Sequence, residues 1–241
     1  MVLEPIEILN GIFSLICVII STIVGLIIAS RYFKHKQRTL LLVGIAWIGV
    51  FSPWWPSTIS FMLAISTGNG LTIQLYFLIG LIAGAPILLI WIFAFSELKY
   101  KRYQKILVTL YAIIGTIFEI LIIYFILTDP NEIGELKGVL DVTYRSIALY
   151  YAIFIVITLL ITGILFGRES LGSENPEIRL KGYFLIAAFI SWSIGAILDA
   201  ALPLNIITLT IARLILISSA LEFYCGFLLP NFIKNILIKQ K

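Results

Sequence analysis

The stretch IARLILISSALEF, residues 211–223, places Arg213 and Glu222 inside a run of aliphatic side chains. With its apolar flanks, this run reaches the roughly 20 residues that a helix needs to cross a hydrocarbon core about 30 Å thick. An ionised side chain inside that core costs about 2.5–3.5 kcal/mol on insertion scales. The two charged residues must therefore face other helices or a wet cavity, which makes them candidates for a functional site.

Comparable apolar runs recur along nearly the whole chain. The 241 residues are 61% hydrophobic and 12% charged, with a mean hydropathy of +1.07, which exceeds the values of ordinary soluble domains. Helices satisfy their own backbone hydrogen bonds in lipid, so the sequence predicts an all-α seven-transmembrane-helix bundle in a cell membrane. This single multi-pass domain would cover residues 1–241, with spans near 6–30, 39–65, 71–96, 104–128, 141–167, 180–202 and 205–230.

Lys and Arg residues are distributed unevenly between the predicted loops. Fourteen lie in the first, third and fifth loops and the C-terminal tail, whereas the other side holds only Lys137 and Arg145. The positive-inside rule therefore predicts an outside N-terminus and a cytoplasmic C-terminus. The basic side should face anionic lipid headgroups of the bilayer, and no nucleic-acid partner is expected.

Prolines and small residues predict kinks and close helix packing. Pro53, Pro56 and Pro86 remove backbone donors within or near the second and third spans. Seven helices can also be built as a 3+1+3 pseudo-repeat, in which two groups of three helices flank a linking helix. A bundle without such a duplication is the alternative, and both remain open. Small residues lie four apart at two places, Gly80 with Gly84 and Ser191 with Gly195.

The chain lacks the residues that several cofactors and reactions require. The last span has no lysine for a retinal Schiff base, and the single histidine, His35, lies in a loop where it cannot ligate membrane haem. Cys17 and Cys225 fall near opposite ends of the bilayer, which excludes a disulfide between them. No span centre offers a histidine or lysine base for a serine nucleophile. We therefore expect no enzyme activity, no cofactor and no bound metal.

Three stretches carry a resemblance to known families: FSPWWPSTISF (51–61), NPEIRLKGYFLIAAFISWSIGAILDA (175–200) and ISSALEFYCGFLLP (217–230). Over nearly its full length the chain resembles a group of uncharacterised archaeal seven-helix membrane proteins. It is also similar to the seven-helix sensory region that precedes some histidine kinases. The resemblance implies no established activity. Because no kinase follows Pro230, we expect any output to pass to a separate cytoplasmic signalling protein.

Three carboxylates and one guanidinium fall within the predicted spans: Glu119, Asp199, Glu222 and Arg213. At 1.5 Å per residue, Arg213 lies roughly 12 Å below the outer edge, and Glu222 lies roughly 13 Å deeper on the opposite helix face. Glu119 and Asp199 are within reach of the level of Arg213, so one or both should pair with it. Glu222 has no cation at its depth and should be hydrogen-bonded and protonated, or open to a cytoplasmic cavity.

The same residues fit two interpretations. In the simpler one, an ion pair fixes the helix register and Glu222 is a satisfied neutral acid. In the other, a polar ligand pocket occupies the outer half, with Arg213 at its floor and Trp54, Trp55 and Gln74 near its mouth. An interfacial aromatic belt is the favoured alternative for the two tryptophans, and a helix cap is the alternative for Gln74.

Three functions therefore remain open. We rank first a receptor-like sensor, in which a small-molecule ligand from outside changes helix packing and cytoplasmic loops report the change to a partner. The second is a small proton-coupled solute carrier, in which Glu222 takes up the proton. The third is a non-catalytic accessory or lipid-packing subunit, which needs no pocket.

Overall fold

The computed structural model of the protein describes residues 3–203 and 205–238. Its longer elements, in chain order, are α1 (Pro5–His35), α2 (Arg38–Val50), α3 (Trp55–Thr67), α4 (Ile73–Leu81), α5 (Gly84–Lys99), α6 (Gln104–Thr128), β1 (Gly134–Lys137), β2 (Asp141–Tyr144), α7 (Ser146–Leu171), α8 (Pro176–Ala201), α9 (Ile206–Leu228) and α10 (Asn231–Leu237).

Seven helical segments are long and apolar enough to cross a membrane, which supports a multi-pass membrane protein. The second segment comprises α2 and α3, and the third comprises α4 and α5. The fifth predicted span begins five residues too early, because residues 141–144 form a strand that pairs with residues 134–137. The direction of the chain across a membrane stays a prediction.

The two strands form an antiparallel hairpin, which the expectation of an all-α chain missed. Its register pairs Gly134 with Tyr144 and Lys137 with Asp141. Gly138 turns the chain with a φ of 59°, a left-handed conformation that glycine adopts without strain. We call residues 138–140 the hairpin tip.

The helices form a closed ring around a packed interior. α1 packs between the second span and α9, α8 packs between α7 and α9, and α5 contacts α2, α6 and α7. α6 is the most peripheral of the seven candidate spans in the described residues, since 11% of its apolar segment is buried against 56% for the second span. We call the end that carries the hairpin the hairpin face, and the end that carries α10 the tail face.

Two spans are interrupted near the prolines, as the sequence predicted. A 3-10 turn over Ser52–Trp54 separates α2 from α3, and Pro56 follows directly. In the third span, α4 ends at Leu81 and α5 begins at Gly84, two residues before Pro86. α8 and α9 are continuous, so the interruptions do not recur in the second half of the chain. The pseudo-repeat stays a prediction.

Aromatic rings fill the interior toward the tail face. Trp47 stacks on Phe223 with ring centroids 3.6 Å apart, and Trp91 lies 5.0 Å from Phe189. The Trp91 indole donates a hydrogen bond of 2.7 Å to Thr162 Oγ1, which satisfies its one donor. Much of the interior in this half of the bundle is therefore filled by packed aromatic rings.

Candidate functional site

Arg213 is the buried centre of a polar cluster in the half of the bundle near the hairpin face. Its side chain projects from α9, and the residue is only 3% exposed. Nη2 lies 3.3 Å from Asp199 Oδ1 on α8 and donates a 2.9 Å hydrogen bond to Asn10 Oδ1 on α1. The predicted pairing of Arg213 with Asp199 is thus present, and it ties three spans together.

The interruption of the second span supplies a fourth member of the cluster. Trp54 ends the 3-10 turn and is 5% exposed, with its indole Nε1 donating a 2.9 Å hydrogen bond to Asp199 Oδ2. Its ring lies 5.7 Å from the Arg213 guanidinium carbon, close enough for a cation–π interaction. The belt interpretation is therefore wrong for Trp54, because a residue bonded to an inward carboxylate does not face lipid. We call Asn10, Trp54, Asp199 and Arg213 the polar cluster.

The hairpin tip covers the polar cluster. Leu140 is 1% exposed, and its carbonyl oxygen lies 2.8 Å from Tyr76 Oη, 3.0 Å from Ser57 Oγ and 3.5 Å from Asn10 Nδ2. The Val139 carbonyl accepts a 2.6 Å hydrogen bond from Ser60 Oγ. Asn10 therefore contacts both the tip, through its amide nitrogen, and Arg213, through its amide oxygen.

Two nitrogens of the Arg213 guanidinium have no acceptor. Nε and Nη1 are buried and lack a hydrogen-bond partner among the described residues, although an arginine carries five N–H donors. Leaving a buried donor unsatisfied costs about 1–3 kcal/mol, and more for a charged group. The site thus presents unfilled guanidinium donors next to the carboxylate of Asp199, an arrangement that suits an oxygen acceptor.

Asp141 adds a second carboxylate at the hairpin end of the cluster. It is the first residue of β2, outside the spans, and burial raises the pKa of its carboxyl, with a further contribution from the negative charge of Asp199. A hydrogen bond from the Val142 backbone and the charges of Lys137 and Arg213 oppose this rise. The folded protein therefore holds this proton more tightly than the unfolded chain does.

Glu119 does not pair with Arg213. It lies on the peripheral α6, where Oε1 accepts a 3.3 Å hydrogen bond from the backbone nitrogen of Ala85. Ala85 is in the first turn of α5, whose amide donors have no partner within the helix. The interruption of the third span thus creates the donor that Glu119 satisfies. Depth alone placed Glu119 near Arg213, but it could not show which way α6 faces.

Glu222 lies apart from the polar cluster, nearer the tail face. Its Oε1 accepts a 3.3 Å hydrogen bond from Ser218 Oγ one turn earlier on α9. Its Oε2 is buried without a partner, and no ion pair to Glu222 occurs within the described part of the chain. The hydrogen bond from Ser218 agrees with the expectation that Glu222 is hydrogen-bonded, since no cation was expected at its depth.

Trp55 and Gln74 are not brought to the cluster. Trp55 is half-buried, and its indole nitrogen has no hydrogen-bond partner in the described part of the chain, while Gln74 is exposed. The N-terminus of α4 is capped by Thr72 and not by Gln74. Thr72 Oγ1 accepts a 3.5 Å hydrogen bond from the Leu75 nitrogen. The helix-cap alternative for Gln74 is therefore wrong, and its place near a pocket mouth stays a prediction.

Sequence reasoning missed Asn10, Ser57 and Tyr76. An amide inside an apolar helix was a usable signal for Asn10, because a buried amide needs hydrogen-bond partners. Ser57 Oγ and Tyr76 Oη lie 2.7 Å apart, and both contact the Leu140 backbone carbonyl. Every residue has a backbone carbonyl, so the sequence does not indicate which one serves as the acceptor. Their role therefore depends on the hairpin, whose position the sequence did not reveal.

The three stretches that carry the family resemblance contain Trp54 and Asp199 of the polar cluster, Ser57 beside it, and Glu222 outside it. FSPWWPSTISF holds Trp54 and Ser57, the stretch over 175–200 holds Asp199, and the stretch over 217–230 holds Glu222. The resemblance itself stays a prediction. Comparison of the chain with protein-family models, curated proteins and solved structures finds no match.

Proposed function

We propose that the protein is a membrane sensor that binds a small anionic ligand at the polar cluster and reports binding to a cytoplasmic partner. The observation that carries this proposal is the pair of buried, unpartnered nitrogens on Arg213. A ligand oxygen placed against Nε or Nη1 would satisfy a donor that the described residues leave unpaired. The positive-inside rule orients this end of the bundle toward the outside.

The contacts of the cluster supply a route from binding to a change in packing. Asn10 bonds both Arg213 and the Leu140 carbonyl, so a ligand that draws Arg213 away also alters what holds the hairpin tip. Asp199 likewise bonds both Arg213 and Trp54, which ends the interruption between α2 and α3. Ligand binding would thus shift the packing of α1, α8 and the second span together. The size of this shift is set by the difference in ligand affinity between the two packing states.

Ligand binding is tested by thermal unfolding of the purified protein in lipid nanodiscs, screened against small carboxylates, sulfonates and phosphates. We expect at least one compound to raise the unfolding temperature saturably. Arg213→Lys keeps the charge but removes the planar donors, so it should abolish that shift. The control Arg145→Lys changes an arginine that pairs with Glu135 on the hairpin and is half exposed, and it should keep the shift. A shift of equal size in Arg213→Lys contradicts the proposal.

A proton-coupled carrier is the second candidate, and the lone acid Glu222 favours it. An uncompensated carboxyl within a span is a common feature of proton relays. Uptake of labelled solutes into proteoliposomes, with and without a proton gradient, separates the two candidates. In a carrier, Glu222→Gln should abolish gradient-dependent uptake while the variant folds normally, because the amide keeps the shape of the neutral acid. Normal uptake by this variant assigns Glu222 a packing role, and a protein that neither binds nor transports would be an accessory subunit.

A further inference from the structure

A groove with basic walls opens on the tail face, in the opposite half of the bundle from the polar cluster. It has a volume of about 340 Å³, and α1, α2, α8 and α9 all contribute to it. The lining residues are Arg31, His35, Gln37, Leu40, Lys181, Phe227 and Leu228. We call it the basic groove. The described residues that line it include Arg31 and Lys181 as permanent cations and no carboxylate.

Three carboxylates of the tail face pair with lysines that do not line the basic groove. Glu177 pairs with Lys234 at 2.5 Å, Glu97 pairs with Lys101 at 3.3 Å, and Glu169 pairs with Lys99. Within residues 3–203 and 205–238, neither Arg31 nor Lys181 forms an ion pair, although both side chains are half-buried. The charge of Lys181 also acts on Glu177, one turn earlier on α8, but Glu177 is already paired with Lys234. Two half-buried cations that form no ion pair among the described residues favour an external anion.

The rest of the lining suits an anion that carries hydrocarbon. Leu40, Phe227 and Leu228 form an apolar wall beside the two cations. The groove lies where four of the candidate spans end, which is the level of lipid headgroups in a bilayer. A second groove shares Gln37, Leu40 and Phe227 with the first. It adds Lys36, Arg38 and Glu97, and Glu97 is paired with Lys101, so this edge carries a net positive charge.

We propose that the basic groove binds the phosphate of an anionic lipid headgroup, with Arg31 and Lys181 as its ligands. Arg31 offers the planar N–H donors that match phosphate oxygens, and Lys181 adds a point charge from a different helix. The headgroup would bridge α1 and α8, while the acyl chains would lie along the apolar wall. Free phosphate shares the headgroup chemistry but lacks the hydrocarbon.

The test compares nanodiscs of phosphatidylcholine with nanodiscs that contain phosphatidylglycerol, using native mass spectrometry to count retained lipids and thermal unfolding to measure stabilisation. We expect the wild type to retain phosphatidylglycerol and to unfold at a higher temperature in its presence. R31Q/K181Q should lower phosphatidylglycerol affinity on the order of tenfold. The single variants R31Q and K181Q are measured alongside, in case the double variant does not fold.

The control R102Q/R168Q removes the same charge from exposed positions on the tail face that do not line either groove. It should keep lipid retention close to that of the wild type. Equal losses in both double variants would show general attraction to the basic face and overturn the site. Inorganic phosphate added to phosphatidylcholine nanodiscs is the third arm, and full stabilisation by phosphate alone would overturn the assignment to lipid.

Discussion

Arg213 shows how one charged side chain becomes tolerable inside a bundle. Asp199 offsets its charge, Asn10 accepts a hydrogen bond, and the Trp54 ring covers the guanidinium. Such a buried pair contributes little net stability, because desolvation opposes the Coulomb attraction. Loss of one partner is different, since it leaves a buried charge uncompensated.

The Arg213–Asp199 pair is tested by a double-mutant cycle on unfolding stability in detergent. We expect Arg213→Met and Asp199→Asn each to cost about 3–5 kcal/mol, and the double variant to cost less than their sum. The control cycle is Arg145→Met with Glu135→Gln, an exposed pair whose coupling should stay below about 1 kcal/mol. Strictly additive losses at Arg213 and Asp199 would contradict the pairing.

Glu119 has a different role, and it calls for a different substitution. Because it accepts a hydrogen bond from the Ala85 nitrogen, Glu119→Gln should be nearly neutral, since the amide oxygen can still accept. Glu119→Leu leaves a half-buried backbone donor unpaired and should cost about 1–3 kcal/mol. Thermal unfolding of both variants measures the difference. Coupling of Glu119→Gln with Arg213→Met, measured as non-additivity, would instead show the long-range pairing that the sequence predicted.

At the scale of elements, the hairpin is held by both apolar packing and main-chain hydrogen bonds. Ile133, Leu136 and Tyr144 pack in a cluster with residues of α4, α6 and α7. The tip adds backbone contacts, including a 3.3 Å hydrogen bond from the Val139 nitrogen to Glu7 Oε1. The hairpin is thus part of the folded bundle, and its tip is the part that contacts the polar cluster.

Gly138→Ala tests how tightly the tip is docked. Its φ of 59° disfavours any side chain, and a Cβ at this position would collide with Glu7 Oε1. We expect hydrogen exchange of the Val139 amide to accelerate while exchange in the helices is unchanged. Gly172→Ala is the matched control, because its Cβ would meet its nearest neighbour at an ordinary 3.8 Å. Unchanged protection of Val139 in Gly138→Ala would contradict a tightly docked tip.

Docking of the hairpin should also depend on pH through Asp141. Burial and then the charge of Asp199 raise the pKa of Asp141 in the folded state, so the folded protein binds this proton more tightly than the unfolded chain. Its contribution to stability is therefore complete below the ordinary value of about 4 and is lost as pH rises through the raised pKa. Protection of the Val139 amide, corrected for intrinsic exchange, should fall over that range. Asp141→Asn should flatten this dependence, and a dependence that persists in this variant points to another group.

At the scale of the whole molecule, the sequence could predict the features that depend on apolar length and on depth in the bilayer. Seven apolar runs correspond to seven helical segments long enough to span a membrane. Asp199 was expected nearer the outside than Arg213 but within reach of the arginine stem, and the two are in contact. The direction in which Glu119 faces could not be predicted, because the peripheral position of α6 results from the packing of all seven segments. The position of the hairpin tip could not be predicted either, because its contacts are made by the backbone carbonyls of Val139 and Leu140.

The direction of the chain across the membrane is the remaining property of the whole molecule, and cysteine labelling tests it. Fourteen Lys and Arg residues on one side against two on the other predict that the hairpin face lies outside. Asn69 and Glu132 lie in connections of the hairpin face, whereas Ser173 lies in the connection between α7 and α8 at the tail face. Native Cys17 and Cys225 are buried, which keeps background labelling low. In intact cells, an impermeant thiol reagent should label Asn69→Cys and Glu132→Cys but label Ser173→Cys only after lysis. The reverse pattern would invert the bundle, and the polar cluster would then open toward the cytoplasm.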